Sequence, residues 1–329
     1  MLVDTFGRTA TDLRVSLTDR CNLRCSYCMP PEGLDWLPKP ELLTDDEVVR
    51  LVGLAVGELG VTEVRYTGGE PLLRRGLPDI VRRTAALEPR PEISLTTNGI
   101  GLARLAGPLA AAGLDRVNVS LDTLDPATFK RLAHRDRFAD VLAGLEAARA
   151  AGLEPVKINA VLMRGINDHE APALLRFCLE NGYRLRFIEQ MPLDAQHGWT
   201  RQDMITADEI LERLSAEFDL APDAGHDRGS APAETFAIGG GPETVGVIGS
   251  VTRPFCGACD RVRLTADGQV RNCLFATEES NLRDAMRAGA ADEEIADRWR
   301  TAVRAKRAGH GIDDPAFLQP ARPMSAIGG

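Results

Sequence analysis

Six of the seven cysteines fall in two tight groups, and their chemistry frames every other reading of the chain. Cys21, Cys25 and Cys28 stand in the stretch CNLRCSYC, with three and then two residues between them. Cys256 and Cys259 form a CxxC step, and Cys273 follows after thirteen residues. An odd number of cysteines clustered in this way does not read as a disulfide framework, which spreads an even number along a small secreted domain. Thiolates are soft ligands for iron or zinc. Three of them on a loop leave one iron of a 4Fe-4S cluster open to a further ligand, whereas a closed structural zinc site takes four. Zinc is the alternative for both groups. For the first it needs a distant fourth ligand, the nearest histidine in sequence being His134; for the second it is the stronger alternative, because CxxC…C steps are common around zinc. Cys178, in PALLRFCLENG, lies on the apolar side of a helical pattern and reads as a buried structural thiol.

Cations form the second constellation. Arg261 and Arg263 follow Cys259 at strand spacing, so both guanidinium groups can face one side. Planar, permanently charged, bidentate donors suit a triphosphate or a guanine edge, although a solvated strand face is the plainer reading. Arg14, Arg65 and Lys157 lie on β-rich runs, where an inward cation is costly unless an anion meets it. A locally basic cavity in a chain of net charge -9 implies a small anionic substrate. That overall charge argues against a nucleic-acid backbone or an anionic membrane as the main partner. No apolar run approaches the roughly 18 residues of a membrane span, and the N-terminus lacks the basic-then-apolar layout of a secretory signal, so a cytoplasmic location is expected.

Six short β-rich runs can position these residues: Leu13 to Thr18, then runs from Glu63, Glu92, Asp115, Pro155 and Arg184. Segments between them, such as TDDEVVRLVGLAVGELG, carry apolar residues at i, i+3 and i+4 and end in glycine, as amphipathic helices do. Alternating strands and helices give either an open doubly wound sheet or a curved, incomplete barrel. Polar residues at the C-terminal ends of several strands favour the barrel, whose loops gather round one site. Gly68, Gly69 and Glu70 follow the second run, and Thr96, Thr97 and Asn98 close the third. After about Ala221 a Gly-, Pro- and Ala-rich stretch reads as a linker with one hairpin, followed by a region with a turn at Asp267-Gly268 and a charged helix from about Ala291 to Ala308. The expectation is an α/β fold: an incomplete (β/α)6 TIM-like barrel over residues 1–220, and a C-terminal extension over 221–329 that carries a second iron–sulfur cluster.

At CNLRCSYC the chain resembles the radical S-adenosylmethionine superfamily, whose members hold a 4Fe-4S cluster with CxxxCxxC and an aromatic residue beside the last cysteine, here Tyr27. The resemblance implies that the amine and carboxylate of S-adenosylmethionine chelate the open iron, and that an electron from the cluster cleaves the sulfonium to a 5′-deoxyadenosyl radical. TGGEP, Thr67 to Pro71, matches that family's glycine-rich loop: Gly69 would let the backbone approach the methionine amine and Glu70 would orient it. Taken alone, such a loop is a tight turn. Ser120 in VNVSLD and Met191 in FIEQM match positions that contact the ribose and adenine, although Met191 by itself would read as core filler.

Both cysteine groups, the RxR step between Cys259 and Cys273, and KINAVLMRGIND, RFIEQMPL and RLTADGQVRNCL together resemble the GTP 3′,8-cyclase family over about residues 5–329. This resemblance implies that Cys21, Cys25 and Cys28 hold the cluster that cleaves S-adenosylmethionine, and that Cys256, Cys259 and Cys273 hold a second 4Fe-4S cluster meeting the guanine. Arg14, Arg65, Thr96, Lys157, Arg261 and Arg263 would contact GTP. Asp260 stands where that family usually has asparagine, a departure that touches no ligand. Gly328 and Gly329, a frayed end on their own reading, would enter the active site. The implied reaction removes hydrogen from C3′ of GTP, joins C3′ to C8, and yields (8S)-3′,8-cyclo-7,8-dihydroguanosine 5′-triphosphate, the first step of molybdenum cofactor biosynthesis. Cyclic pyranopterin monophosphate synthase would take the product, an external donor would supply electrons, and the protein would be a monomer or homodimer. Two alternatives stand beside this: a peptide-modifying radical enzyme, which gives no reason for the cationic set, and a zinc- or iron-binding regulatory module without turnover.

Overall fold

Period-two alternation on short parallel strands builds the wall on which the site stands. The computed structural model describes residues 1–225 and 227–328. In it β1 (Asp12–Ser16), β2 (Glu63–Thr67), β3 (Glu92–Thr97), β4 (Arg116–Ser120), β5 (Lys157–Val161) and β6 (Arg184–Ile188) lie side by side in chain order, all parallel. These are the six expected strands. Leu13, Val15, Val64, Tyr66, Val117, Val119, Ile158 and Phe187 point outward and merge with the apolar faces of the intervening helices in one buried core. Alternate residues point inward. Helix Asp45–Gly57 begins with a capping box, Thr44 and Glu47 satisfying each other's backbone N–H, as the sequence TDDE would lead one to expect.

The chain beyond residue 220 is more closely joined to the barrel than an appended extension would be. It forms β7 (Leu220–Pro222), β8 (Glu234–Ile238), β9 (Thr244–Ile248), β10 (Arg261–Leu264), β11 (Gln269–Arg271) and β12 (Ser280–Asn281). β9 pairs in parallel with β6 and β10 in parallel with β1, so the parallel wall has a strand from this region at each edge. Their buried positions, Val245 and Val247 on β9 and Val262 and Leu264 on β10, alternate like those of the barrel strands and join the same core. The expected linker contains β8, which folds back on β9 as an antiparallel hairpin. Asp267-Gly268 turns β10 into β11 as expected, with Gly268 at a φ of 78° that favours glycine. No described helix is long and apolar enough to cross a membrane.

Helix Asp292–Arg304 seals the outer edge of this arrangement. Ile295, Ala296, Trp299, Ala302 and Val303 form its apolar stripe, at i, i+1, i+4, i+7 and i+8, against β11, β12 and helix Asp45–Gly57. Trp299 is completely buried. Trp299→Ala should lower the unfolding free energy by about 3–5 kcal/mol. Urea titration followed by circular dichroism would show this as a fall in midpoint, and an unchanged midpoint would contradict the assigned packing.

Candidate functional site

Inward positions of the wall carry an unusual row of charge. Strand register sets Arg14 directly beside Arg65 on one side and Arg263 on the other. Like charges opposed on neighbouring strands repel, and all three side chains are buried. Their nearest acid is Asp12, 3.7 Å from Arg14 and 3.8 Å from Arg65. Arg261 lies one inward position below Arg263, packs over the Phe255 ring at 4.7 Å, meets Asp260 at 3.4 Å and donates to the Ser230 carbonyl. Across the barrel Arg186 donates to two neutral partners, Asn159 and Asn118, at 3.0 Å each. Among the described residues Arg186 and Arg263 form no ion pair with a carboxylate.

The electrostatics express that imbalance. Burial first, and then Arg65, holds the Arg14 guanidinium well below its ordinary range. Burial likewise lowers Arg263 to about 10 and, together with Arg65 and Arg116, Arg186 to about 9. Lys157 falls from an ordinary 10.5 to about 7 through burial and then the nearby Arg186, Arg116 and Arg65. Asp12 is also shifted down, for the opposite reason: burial pushes its carboxyl up, but Arg14, Arg65, Arg261 and Arg263 together hold it below the ordinary value. One carboxylate cannot neutralise this set, so the inner face is built to receive an anion.

Arg14, Arg65, Arg186, Arg261 and Arg263 line a cavity of about 250 Å³ whose remaining wall is largely apolar, including Ile248, Pro254, Phe255 and Leu274. Cys256, Cys259, Cys273 and Met191 line it too. Lys157 does not reach this surface; it shares a strand face with Asn159, which does. A second cavity of about 160 Å³ is lined by Cys21, Cys25, Cys28, Gly68, Gly69 and Asn98. Tyr27, Thr96, Ser120, Asp122 and Met324 line both, so the two cysteine groups face adjoining halves of one chamber.

Local sequence explains this second half. A Cβ on Gly68 would stand 2.3 Å from the Thr18 carbonyl oxygen, and one on Gly69 would stand 2.3 Å from that of Arg20. Only glycines let the two loops touch, which leaves the Gly68-Gly69 backbone open to the cavity. Glu70 is set behind that surface. It is fully buried and does not line the cavity; its carboxylate accepts from Leu72 N at 2.9 Å, Thr97 Oγ1 at 2.7 Å and Asn98 N at 2.7 Å. Burial raises it to about 7 in spite of those donors. In this geometry Glu70 ties the glycine loop to the end of β3. Tyr27 donates its hydroxyl to Asp122 at 2.7 Å, and Asp122 also accepts from Val161 N at 2.9 Å, which fixes the aromatic residue of CNLRCSYC against β4 and β5.

All seven cysteines are free thiols, and burial pushes Cys21, Cys25 and Cys28 upward, Cys28 to about 12. Such thiols are not exposed nucleophiles. Among the described residues no three His, Cys, Asp or Glu side chains converge on the point a single metal ion would occupy. The expected second cluster is therefore not visible as a preformed single-ion site. Instead each trio of thiols borders a cavity. Three soft donors at a cavity wall fit an iron–sulfur cluster and leave room for a further ligand.

The residues before the C-terminal glycines run into this chamber. Ser16 Oγ donates to the Ile327 carbonyl at 3.0 Å, and Arg263 donates to the carbonyl of Gly328. Gly328 has a φ of 83°, and a Cβ there would stand 2.6 Å from both Ser16 Oγ and Thr67 Cγ2. Gly329 lies outside the described residues. Sequence reading passed over Arg186, Asn159 and Asp122. Their signal was alternation: Arg186 and Asn159 each occupy the inward phase of a strand already identified, and Asp122 lies two residues beyond Ser120.

An incomplete parallel barrel with a CxxxCxxC loop beside a double-glycine loop at the chamber mouth is the architecture of a radical S-adenosylmethionine protein, and the pattern of the family described as "Radical SAM superfamily" matches residues 15–178. A second family pattern, "Molybdenum Cofactor Synthesis C", matches residues 183–312. The chain belongs to the GTP 3′,8-cyclase family. It is 68% identical over 329 residues to the GTP 3′,8-cyclase of Streptomyces coelicolor, covering 100% of this chain and 96% of that protein. It is 62% identical over 334 residues to that of Mycolicibacterium smegmatis, covering 100% and 92% respectively. Among solved structures, Streptococcus suis SuiB bound to its precursor peptide SuiA superposes with a TM-score of 0.60 at 15% identity, over 92% of this chain and 68% of that one, which is a likeness of fold.

Two outcomes follow from this geometry. Without an anion, Lys157 is neutral when folded but protonated when unfolded between pH 7 and 10.5, so it makes stability rise with pH across that window, by at most about 1.4 kcal/mol per pH unit. Thermal unfolding of the unliganded protein should show a steeper rise there than Lys157→Met does; superimposable profiles would contradict this setting of Lys157. Gly328→Ala should dislodge the tail, so that limited proteolysis of residues 318–327 accelerates while the unfolding midpoint stays put. Unchanged cleavage would mean that the seat tolerates a side chain.

Proposed function

We propose that the chain converts GTP to (8S)-3′,8-cyclo-7,8-dihydroguanosine 5′-triphosphate, using S-adenosylmethionine and two 4Fe-4S clusters, as the first step of molybdenum cofactor biosynthesis. The observation that carries this reading is the row Arg263, Arg14, Arg65, buried with one carboxylate between them, in the chamber that both cysteine groups border. A polyanion with a flat base meets every feature of that chamber, and the family of the chain supplies the particular nucleotide.

In this reading residues 1–220 bind S-adenosylmethionine and residues 221–329 bring the second cluster and much of the GTP site. Cys21, Cys25 and Cys28 hold the first cluster. Gly69 offers its backbone to the methionyl group of S-adenosylmethionine, and Tyr27, Ser120 and Met191 flank its nucleoside, Tyr27 being oriented by Asp122. Cys256, Cys259 and Cys273 hold the second cluster. When bound, the first cluster supplies the electron that cleaves S-adenosylmethionine to the hydrogen-abstracting 5′-deoxyadenosyl group. The protein's own part is placement. Arg14, Arg65 and Arg263, with Lys157 behind them, neutralise the triphosphate, while Arg261, stacked on Phe255, borders the end near Cys259. Thr96, on the wall common to both halves, is where the ribose passes between them. Fixing a substrate at both ends presents C3′ in a near-attack position and contributes several orders of magnitude to rate. The carbonyl of Gly328 orients Arg263, and both Gly328 and Gly329 are assigned to the active site in this reading. An external donor returns the electrons, and the product passes to cyclic pyranopterin monophosphate synthase in the cytoplasm. Neither nucleic acid nor membrane has a part, and a monomer or homodimer suffices.

Anaerobically purified protein should be brown, with iron and sulfide each near about eight per chain. Incubation with GTP, S-adenosylmethionine and a reductant should give the cyclised nucleotide by mass spectrometry; a colourless zinc protein, or an iron protein that leaves GTP untouched, would end this reading. Arg261→Ala and Arg263→Ala should each reduce cyclised product by about a hundredfold while reductive cleavage of S-adenosylmethionine stays within about threefold. Equal loss of both activities would place these arginines in folding or cluster retention instead.

A further inference from the structure

Lys306 lies just past the helix Asp292–Arg304 and is only 5% exposed. Its ammonium carries three N–H donors, and each has an acceptor: the Cys259 carbonyl at 3.0 Å, the Arg261 carbonyl at 2.9 Å and the Cys259 sulfur at 3.3 Å. Among the described residues no carboxylate pairs with it. A buried ammonium without a counterion is expensive, and carbonyls alone supply dipoles and no charge. The one acceptor that can carry a full negative charge is the sulfur of Cys259, which does so when it acts as a metal ligand.

Lys306 also grips the backbone at residues 259 and 261, the step that connects a cysteine to the first inward arginine of β10. One side chain thus fixes both a soft ligand and a guanidinium that faces the chamber.

We propose that Lys306 is a positioning residue for the second iron–sulfur centre, where it orients the Cys259 sulfur through an N–H···S bond and, by its fixed positive charge, raises the centre's reduction potential. The proposal rests on the reading that the second cysteine group holds a cluster. Outer hydrogen bonds and local charge are general means of tuning such centres, and a cation favours the form that has gained an electron. The step concerned is a one-electron reduction of the centre, with dithionite as donor in the test, and no bond is made or broken.

The test uses the full chain with Cys21, Cys25 and Cys28 replaced by alanine, so that the second centre is the only one, titrated potentiometrically under electron paramagnetic resonance. With Lys306 in place this parent should bind about four iron atoms. Lys306→Gln, which keeps a donor and loses the charge, should titrate at a more negative midpoint, and Lys306→Arg should stay close to the parent. Failure of Lys306→Gln to bind iron where Lys306→Arg binds it would support the same conclusion, since the charge would then be needed to hold the centre at all. A midpoint for Lys306→Gln equal to that of the parent, or a loss of iron shared by both variants, overturns the proposal. A parent without iron overturns the two-cluster reading as well, so the two failures are distinct.

Discussion

Positive charge enclosed by a parallel sheet is the constraint on which the rest of this structure depends. Arg14, Arg65 and Arg263 are placed side by side by strand register, and register is set by the outward apolar residues that alternate with them. The fold cannot relieve the repulsion by sliding a strand, because a one-residue slip would turn Leu13 and Val15 into the chamber. Asp12 relieves part of it. What remains has to be met from outside the chain, and this turns a folding problem into a binding site.

The other features arrange a ligand around that charge. Thr96, Ser120 and Asp122 belong to both halves of the chamber, so the space beside the first cysteine loop and the space beside the arginines adjoin at one wall. The tail adds the last contact from a region distant in sequence, with the Gly328 carbonyl received by Arg263. Glu70, buried behind the glycine loop, ties that loop to the end of β3, and Asp122, on the chamber wall, holds Tyr27 to β5.

Much of this was legible in the sequence, for identifiable reasons. The cysteines declared themselves by spacing, the six barrel strands by alternation, and Arg261 and Arg263 by being two apart after Cys259. The parallel attachment of β9 and β10 was not legible, because a short alternating strand reveals which faces it has but not which neighbour it joins. Arg186 went unnoticed for a related reason: its inward phase is evident only once Leu185 and Phe187 are known to be the buried, outward pair. Glu70 was legible as part of the TGGEP loop but its partners were not: the three donors around its carboxylate come from residues that only the folded chain brings to it.

Each strand of the wall does two jobs with two disjoint sets of residues. Val64, Tyr66, Val117 and Val119 answer only to the helices behind them, while Arg65, Asn118 and their inward neighbours answer only to what fills the barrel. Substitutions on one set leave the other almost untouched, so a lineage can trade one substrate for another without rebuilding its scaffold.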